Sequence, residues 1–134
     1  MKSFLTIAVA TTVLALGTAA QADTKFMAYS LSKKRAEIKG AYFVDGYTTS
    51  DVQRFVAQDC NGKIGQMKLL GKPRKKRGHL VQKFSIDCPG GPAARYPGAM
   101  SIEIEQMADG KHLAEMSGSD GMGNMVYSKE FRKP

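Results

Sequence analysis

Apolar and polar residues alternate over 100–107: Met100, Ile102, Ile104 and Gln106 fall on one side, Ser101, Glu103, Glu105 and Met107 on the other. Successive side chains of a strand point to opposite faces, so this period of two predicts a half-buried strand. The same period runs through Leu80, Gln82, Phe84 and Ile86 against Val81, Lys83, Ser85 and Asp87, with most of the bulk on the first set. Runs rich in aromatic and β-branched residues predict further strands over 26–31 and 36–44, Phe26, Ala28 and Tyr29 giving the former its apolar area. Strands are also expected over 64–70, over 111–116 with Leu113 as its core residue, and over 125–131, after which Arg132-Lys133-Pro134 frays.

The period changes once. Val52, Phe55 and Val56 stand at i, i+3 and i+4, which predicts a helix from Thr49-Ser50-Asp51 to Cys60. A hydroxyl of Thr49 or Ser50 caps the free amides, and Asp51 suits the positive end. A helix this short is not stable alone, so it has to lean on a sheet.

Between these elements lie turn signals at Asp45-Gly46 and Asp109-Gly110 and a proline-glycine loop from Cys88 to about Gly98. Gly71 to His79 is expected to form a long hairpin tip bounded by glycines. The sum is an α+β domain: an antiparallel sheet or small curled barrel of about six short strands, packed with one helix.

The start of the chain follows another logic. Lys2, an apolar run from Phe4 to Leu16 and the small-x-small pattern Ala20-Gln21-Ala22 make residues 1–22 a secretory signal peptide, leaving 23–134 as a single small domain. The short basic and compact apolar regions point to the bacterial periplasm before the extracellular medium. No cysteine sits at the cleavage site to carry a lipid, and 23–134 holds no second apolar stretch long enough to span a membrane. In an oxidising compartment the two cysteines, Cys60 and Cys88, are expected to form a disulfide that staples the fold. A redox pair would prefer Cys-x-x-Cys spacing, and a metal site would need more ligands nearby.

Lys and Arg number 20 against 12 Asp and Glu, a formal charge of +8. Export argues against nucleic acid as the counterpart, and no nucleic-acid module is visible. The excess concentrates in Lys72, Arg74, Lys75, Lys76 and Arg77, with His79 close by. Such a run repels itself, and on a mobile hairpin tip it would project as a cationic finger for phosphate or carboxylate. Lys33, Lys34 and Arg35, in another connection, would extend the patch if the two meet. The alternative is a solvated loop that only keeps the protein soluble.

Other chemistry is thinner. Tyr96 stands in surroundings too polar and broken to bury it deeply, so it is expected to be exposed and, with Tyr47, able to stack on sugar or fill an interface. Met100, Met107, Met116, Met122 and Met125 with His112 would suit Cu(I) in softness, yet flexible packing is the usual role of methionine, and no metal or cofactor is expected. His79 and His112 are the only neutral-pH bases, neither in a recognisable nucleophile setting, so no catalytic residue is assigned.

These observations favour an exported soluble binding or inhibitor-like protein that engages an anionic envelope partner, such as an acidic protein, through the basic hairpin loop. The alternative is an accessory module for anionic lipid or glycan of the envelope, in which Tyr47 and Tyr96 join the cations. An unrecognised hydrolase is the third possibility.

Overall fold

The computed structural model describes residues 25–32 and 36–134. The signal peptide expected over 1–22 and the cations Lys33, Lys34 and Arg35 lie outside the described residues. The elements are β1 (Phe26–Leu31), β2 (Glu37–Phe43), α1 (Thr49–Gln58), β3 (Met67–Lys76), β4 (His79–Asp87), β5 (Met100–Gln106), β6 (His112–Ser119) and β7 (Met125–Arg132). The strands form one 7-stranded antiparallel sheet in the order β3-β4-β2-β1-β5-β6-β7, an open sheet without the pairing that would close a barrel. The α+β architecture expected from the periodicities is the one observed. None of the helices among the described residues is long and apolar enough to cross a membrane.

Register decides which side chains share a face. Ile38, Gly40 and Tyr42 lie beside Ile86, Phe84 and Gln82, while Tyr29 lies opposite Ile102 and Met27 opposite Ile104. Ile102 and Ile104 in turn face Met116 and Ala114 across β5 and β6. These residues form the core, and α1 covers it with Val52, Phe55 and Val56. Complete burial of a side chain such as Phe55 or Phe84 contributes roughly 1.5–3 kcal/mol. On β1 it is therefore Met27, Tyr29 and Leu31 that face inward, not Phe26 and Ala28, and on β6 it is Ala114 and Met116 rather than Leu113. Gly40 is required by the close approach of its neighbour: a Cβ there would stand 2.2 Å from the Ala28 carbonyl oxygen.

The helix is capped by Thr48, one residue before Thr49 and two before Ser50, the expected caps. Thr48 Oγ1 accepts from the Asp51 amide and Asp51 Oδ2 accepts from the Thr48 amide, each at 3.1 Å, a reciprocal capping box. At the other end Asn61 and Gly62 take positive φ and the Gly62 amide donates to the Ala57 carbonyl at 2.8 Å, which ends the helix. Cys60 and Cys88 are disulfide-bonded, with Cα atoms 5.6 Å apart. The bond ties the helix terminus to the end of β4 and agrees with an oxidising compartment outside the cytoplasm. The chain-entropy model gives such a loop about 3–4 kcal/mol.

Candidate functional site

The segment expected to be a mobile hairpin tip is instead mostly strand. β3 continues to Lys76, and the reversal takes only Arg77 and Gly78, at φ 50° and 84°. Both central residues of this tight turn lie in the left-handed region, the geometry that suits strand twist. Glycine and proline misled the sequence-based assignment because they mark an irregularity inside the strand rather than its end. Leu70 is paired with Lys83 and Arg74 with Val81, so Gly71-Lys72-Pro73 bulges out opposite Gln82. β3 is an edge strand, where proline and bulges are tolerated. Gln82 is buried, and its amide nitrogen donates to the Gly71 carbonyl at 3.1 Å and to that of Lys83 at 2.9 Å, which holds the bulge in place.

The bulge restores the alternation, so Leu70, Arg74 and Lys76 of β3 share the outer face with Val81 and Lys83 of β4 and Ala41 of β2. Together with Gly71 and Lys72 they line a groove of about 320 Å³. Its floor is apolar (Ala41, Leu70, Val81) and its rim is cationic (Lys72, Arg74, Lys76, Lys83). None of Lys72, Arg74, Lys75, Lys76, Arg77 or Lys83 forms an ion pair among the described residues. Lys75 lies on the opposite face, paired with Leu80, and Arg77 is in the turn. His79 is not part of the groove: its ring stacks on Phe43 with centroids 4.3 Å apart, and its Nδ1 lies 3.8 Å from Asp45 Oδ2. The outer face is polarised, because its far half carries Glu103 and Glu105 on β5 and Glu115 on β6.

Tyr96 is the clear departure among the candidates. It is only 4% exposed, because the loop that carries it folds back over the end of the helix. The Ala93 amide donates to the Asp59 carbonyl at 2.8 Å, and the disulfide anchors the start of the same loop. The Tyr96 hydroxyl donates to Asp59 Oδ1, and the Tyr29 hydroxyl donates to Oδ2. Burial, followed by the hydrogen bond and charge of Asp59, pushes the Tyr96 hydroxyl up to about 12, so it stays protonated. Tyr47 is also buried, hydrogen-bonded to His112 Nδ1 at 2.8 Å and packed on Phe55. Neither tyrosine offers a stacking surface in this conformation.

No family model matches the chain, nor does any curated protein or solved structure.

The charged cluster around Asp59 had no signal in the local sequence. Arg132, expected to fray, is buried, and Glu130 bridges it to Arg95: Arg132 Nε donates to Glu130 Oε2 at 2.7 Å and Arg95 Nη1 to Oε1 at 2.9 Å. A second concavity of about 300 Å³ opens beside this cluster, between Arg95, Met100, Met116, Val126 and Ser128. Its cation is already committed to Glu130, which distinguishes it from the β3–β4 groove. Met100 and Met116 belong to the core, and Met116 Sδ accepts from Arg132 Nη2 at 3.4 Å, whereas Met122 and Met125 are exposed. Among the described residues there is no group of three or more His, Cys, Asp or Glu able to hold a metal.

Proposed function

We propose that this chain is an exported binding or inhibitor-like protein that holds an acidic protein segment on its β3–β4 hairpin. The observation that carries the proposal is the groove itself. Four cations from two strands ring an apolar floor, and none is neutralised by an acidic neighbour among the described residues. Like charges held this close repel one another, so the arrangement costs stability and is relieved when an anion enters. Arg74 supplies a planar fork suited to carboxylate, and the lysines supply reach. Lys33, Lys34 and Arg35 would add to the attraction if they approach the hairpin.

One observation favours a second occupant, an anionic lipid surface. Leu69 and Leu80 are exposed on the face of the hairpin that carries Lys75, opposite the groove, which would let that face enter a headgroup layer.

A single titration separates the two. The oxidised protein is mixed with a fluorescent polyglutamate peptide, with phosphatidylcholine vesicles, and with the same vesicles containing phosphatidylglycerol. The proposal expects saturable peptide binding that weakens with salt and is lost in Arg74→Glu/Lys76→Glu/Lys83→Glu. Binding to the anionic vesicles alone would replace the acidic protein with lipid. Binding to neither, or binding that survives the charge reversal, would overturn the hairpin as the site.

A further inference from the structure

The two open edges of the sheet are finished in different ways. β3 carries a bulge, Pro73 and a row of cations, each of which discourages another strand from pairing with it. β7 has neither bulge nor proline, its outer face carries the single cation Lys129, and its inward charges Glu130 and Arg132 are already paired within the chain. Its eight residues pair with β6 in unbroken register from Met125–Ser119 to Arg132–His112, and among the described residues no strand covers its outer edge. On its outer face Met125, Tyr127 and Phe131 are 79%, 61% and 61% exposed. A long, regular edge with large apolar side chains on one face is a template for strand addition.

We infer that β7 is a homodimer interface, in which two copies pair antiparallel about a two-fold axis through Ser128 and join their sheets into one. The occupant follows from the sequence of the strand, which is complementary to itself in that register. Met125 of each copy faces Phe131 of the other, sulfur against ring. Tyr127 faces Lys129, a pair already compatible within one strand, where Lys129 Nζ lies 5.9 Å from the Tyr127 ring centroid. On the inner face Val126 lies opposite Glu130 and Ser128 opposite its own copy, so no like charges meet.

Neighbouring registers fail. An axis through Lys129 sets two ammonium groups directly opposite each other, which is destabilising in an antiparallel pair. An axis through Tyr127 leaves Phe131 facing Gly123, beyond the strand. A slip of one residue turns the apolar face of one copy onto the inner face of the other.

Sedimentation equilibrium of the oxidised protein over micromolar to millimolar concentration tests the inference. Dimerisation is expected, with Tyr127→Asp and Phe131→Lys each raising the dissociation constant at least tenfold, while the thermal midpoint compared at concentrations where every form is monomeric stays unchanged, since both side chains stand outside the core. A second variant fixes the register: Ser128→Cys, with the native disulfide intact, should oxidise to a covalent dimer faster than Met122→Cys, whose side chain is more exposed but lies outside the paired strand. A monomer throughout the range would overturn the inference and leave the edge to a strand of another protein. A dimer that survives Tyr127→Asp, or Ser128→Cys no faster than Met122→Cys, would overturn it equally.

Discussion

Arg132 lays its guanidinium across both carboxylate oxygens of Asp59, Nη1 donating to Oδ2 at 2.8 Å and Nη2 to Oδ1 at 3.0 Å, with both side chains withdrawn from solvent. The pair joins the helix terminus to the last strand. Burial alone would favour a neutral Arg132, but the hydrogen bonds of Asp59 and the charges around it hold the guanidinium protonated. The two tyrosine hydroxyls and Arg95 complete the shell of Asp59.

Removing one member of this pair should be far worse than removing both. Arg132→Met strips the buried carboxylate of its close bidentate partner, leaving only the half-exposed Arg95 at 3.4 Å, and is expected to cost about 3–5 kcal/mol, a large part of the stability of a small domain. Asp59→Leu combined with Arg132→Met should recover most of that loss, as measured by urea denaturation. Equal losses in the single and double variants would mean that the pair is not the tie between α1 and β7.

Loss of the disulfide is expected to lower stability by about 3–4 kcal/mol in Cys60→Ser/Cys88→Ser. The same change in midpoint should follow reduction of the unmodified protein. A thermal midpoint unaffected by reductant would show that the helix end and β4 hold together without the bond.

Acid should weaken the fold in two steps. Burial, followed by the nearby charge of Lys25, lowers the His112 imidazole below its ordinary value, so the unfolded chain takes up the proton first. Stability is therefore intact above about pH 6.5 and declines below it until the folded value is reached. His112→Gln should flatten that part of a plot of thermal midpoint against pH. The hydrogen bonds of Arg95 hold Glu130 below the ordinary glutamate range, so a second decline begins below about pH 4.3 as this carboxylate is protonated. Arg95→Gln should weaken the second step and leave the first. A profile level from pH 7.5 to 5 would contradict the placement of His112.

The groove should depend on Gln82. Gln82→Met keeps the bulk but releases the Gly71 carbonyl, at an expected cost of about 1–2 kcal/mol. Amide exchange over 71–74 should quicken while the rest of the sheet keeps its protection, as followed by hydrogen exchange with NMR. Uniform quickening would show that Gln82 supports the core and not the bulge.

Neutralising the rim should leave stability almost untouched. Lys72→Gln, Arg74→Gln and Lys76→Gln remove exposed cations without ion pairs, so each is expected to change unfolding free energy by less than about 0.5 kcal/mol. Any trend in the triple variant should be upward, because mutual repulsion is relieved. A marked loss in urea denaturation would assign these cations to the fold.

The elements whose residues speak for themselves were legible in the sequence. The alternation from Met100 to Gln106 gave a strand with the right inward face, and Val52, Phe55 and Val56 gave the helix stripe. Where the decisive partner is distant, local pattern failed. Tyr96 is buried because Asp59 lies above it, and Arg132 is ordered for the same reason, but nothing next to either residue reports a carboxylate elsewhere in the chain. The basic segment was misassigned for a different cause. Gly71 and Pro73 look like strand breakers, yet an edge strand can absorb both in a bulge when a buried side chain such as Gln82 answers the freed carbonyl. The cysteine pair was readable from compartment and count, although not the detail that it pins the Tyr96 loop.

The spacing of the Asp59 contacts along the chain also orders events in time. Cys88 follows Cys60 by 28 residues, whereas Arg132 follows Asp59 by 73. A chain that enters the oxidising compartment amino end first can therefore close the covalent staple before Arg132 arrives, while Arg95 is the one guanidinium beside Asp59. A chain halted before β7 is thus expected to be oxidised yet open at the helix end, and proteolysis of such a truncated chain should cut around 89–98. The final strand acts as a late checkpoint: the fold is sealed only when a guanidinium arrives to answer a carboxylate placed long before.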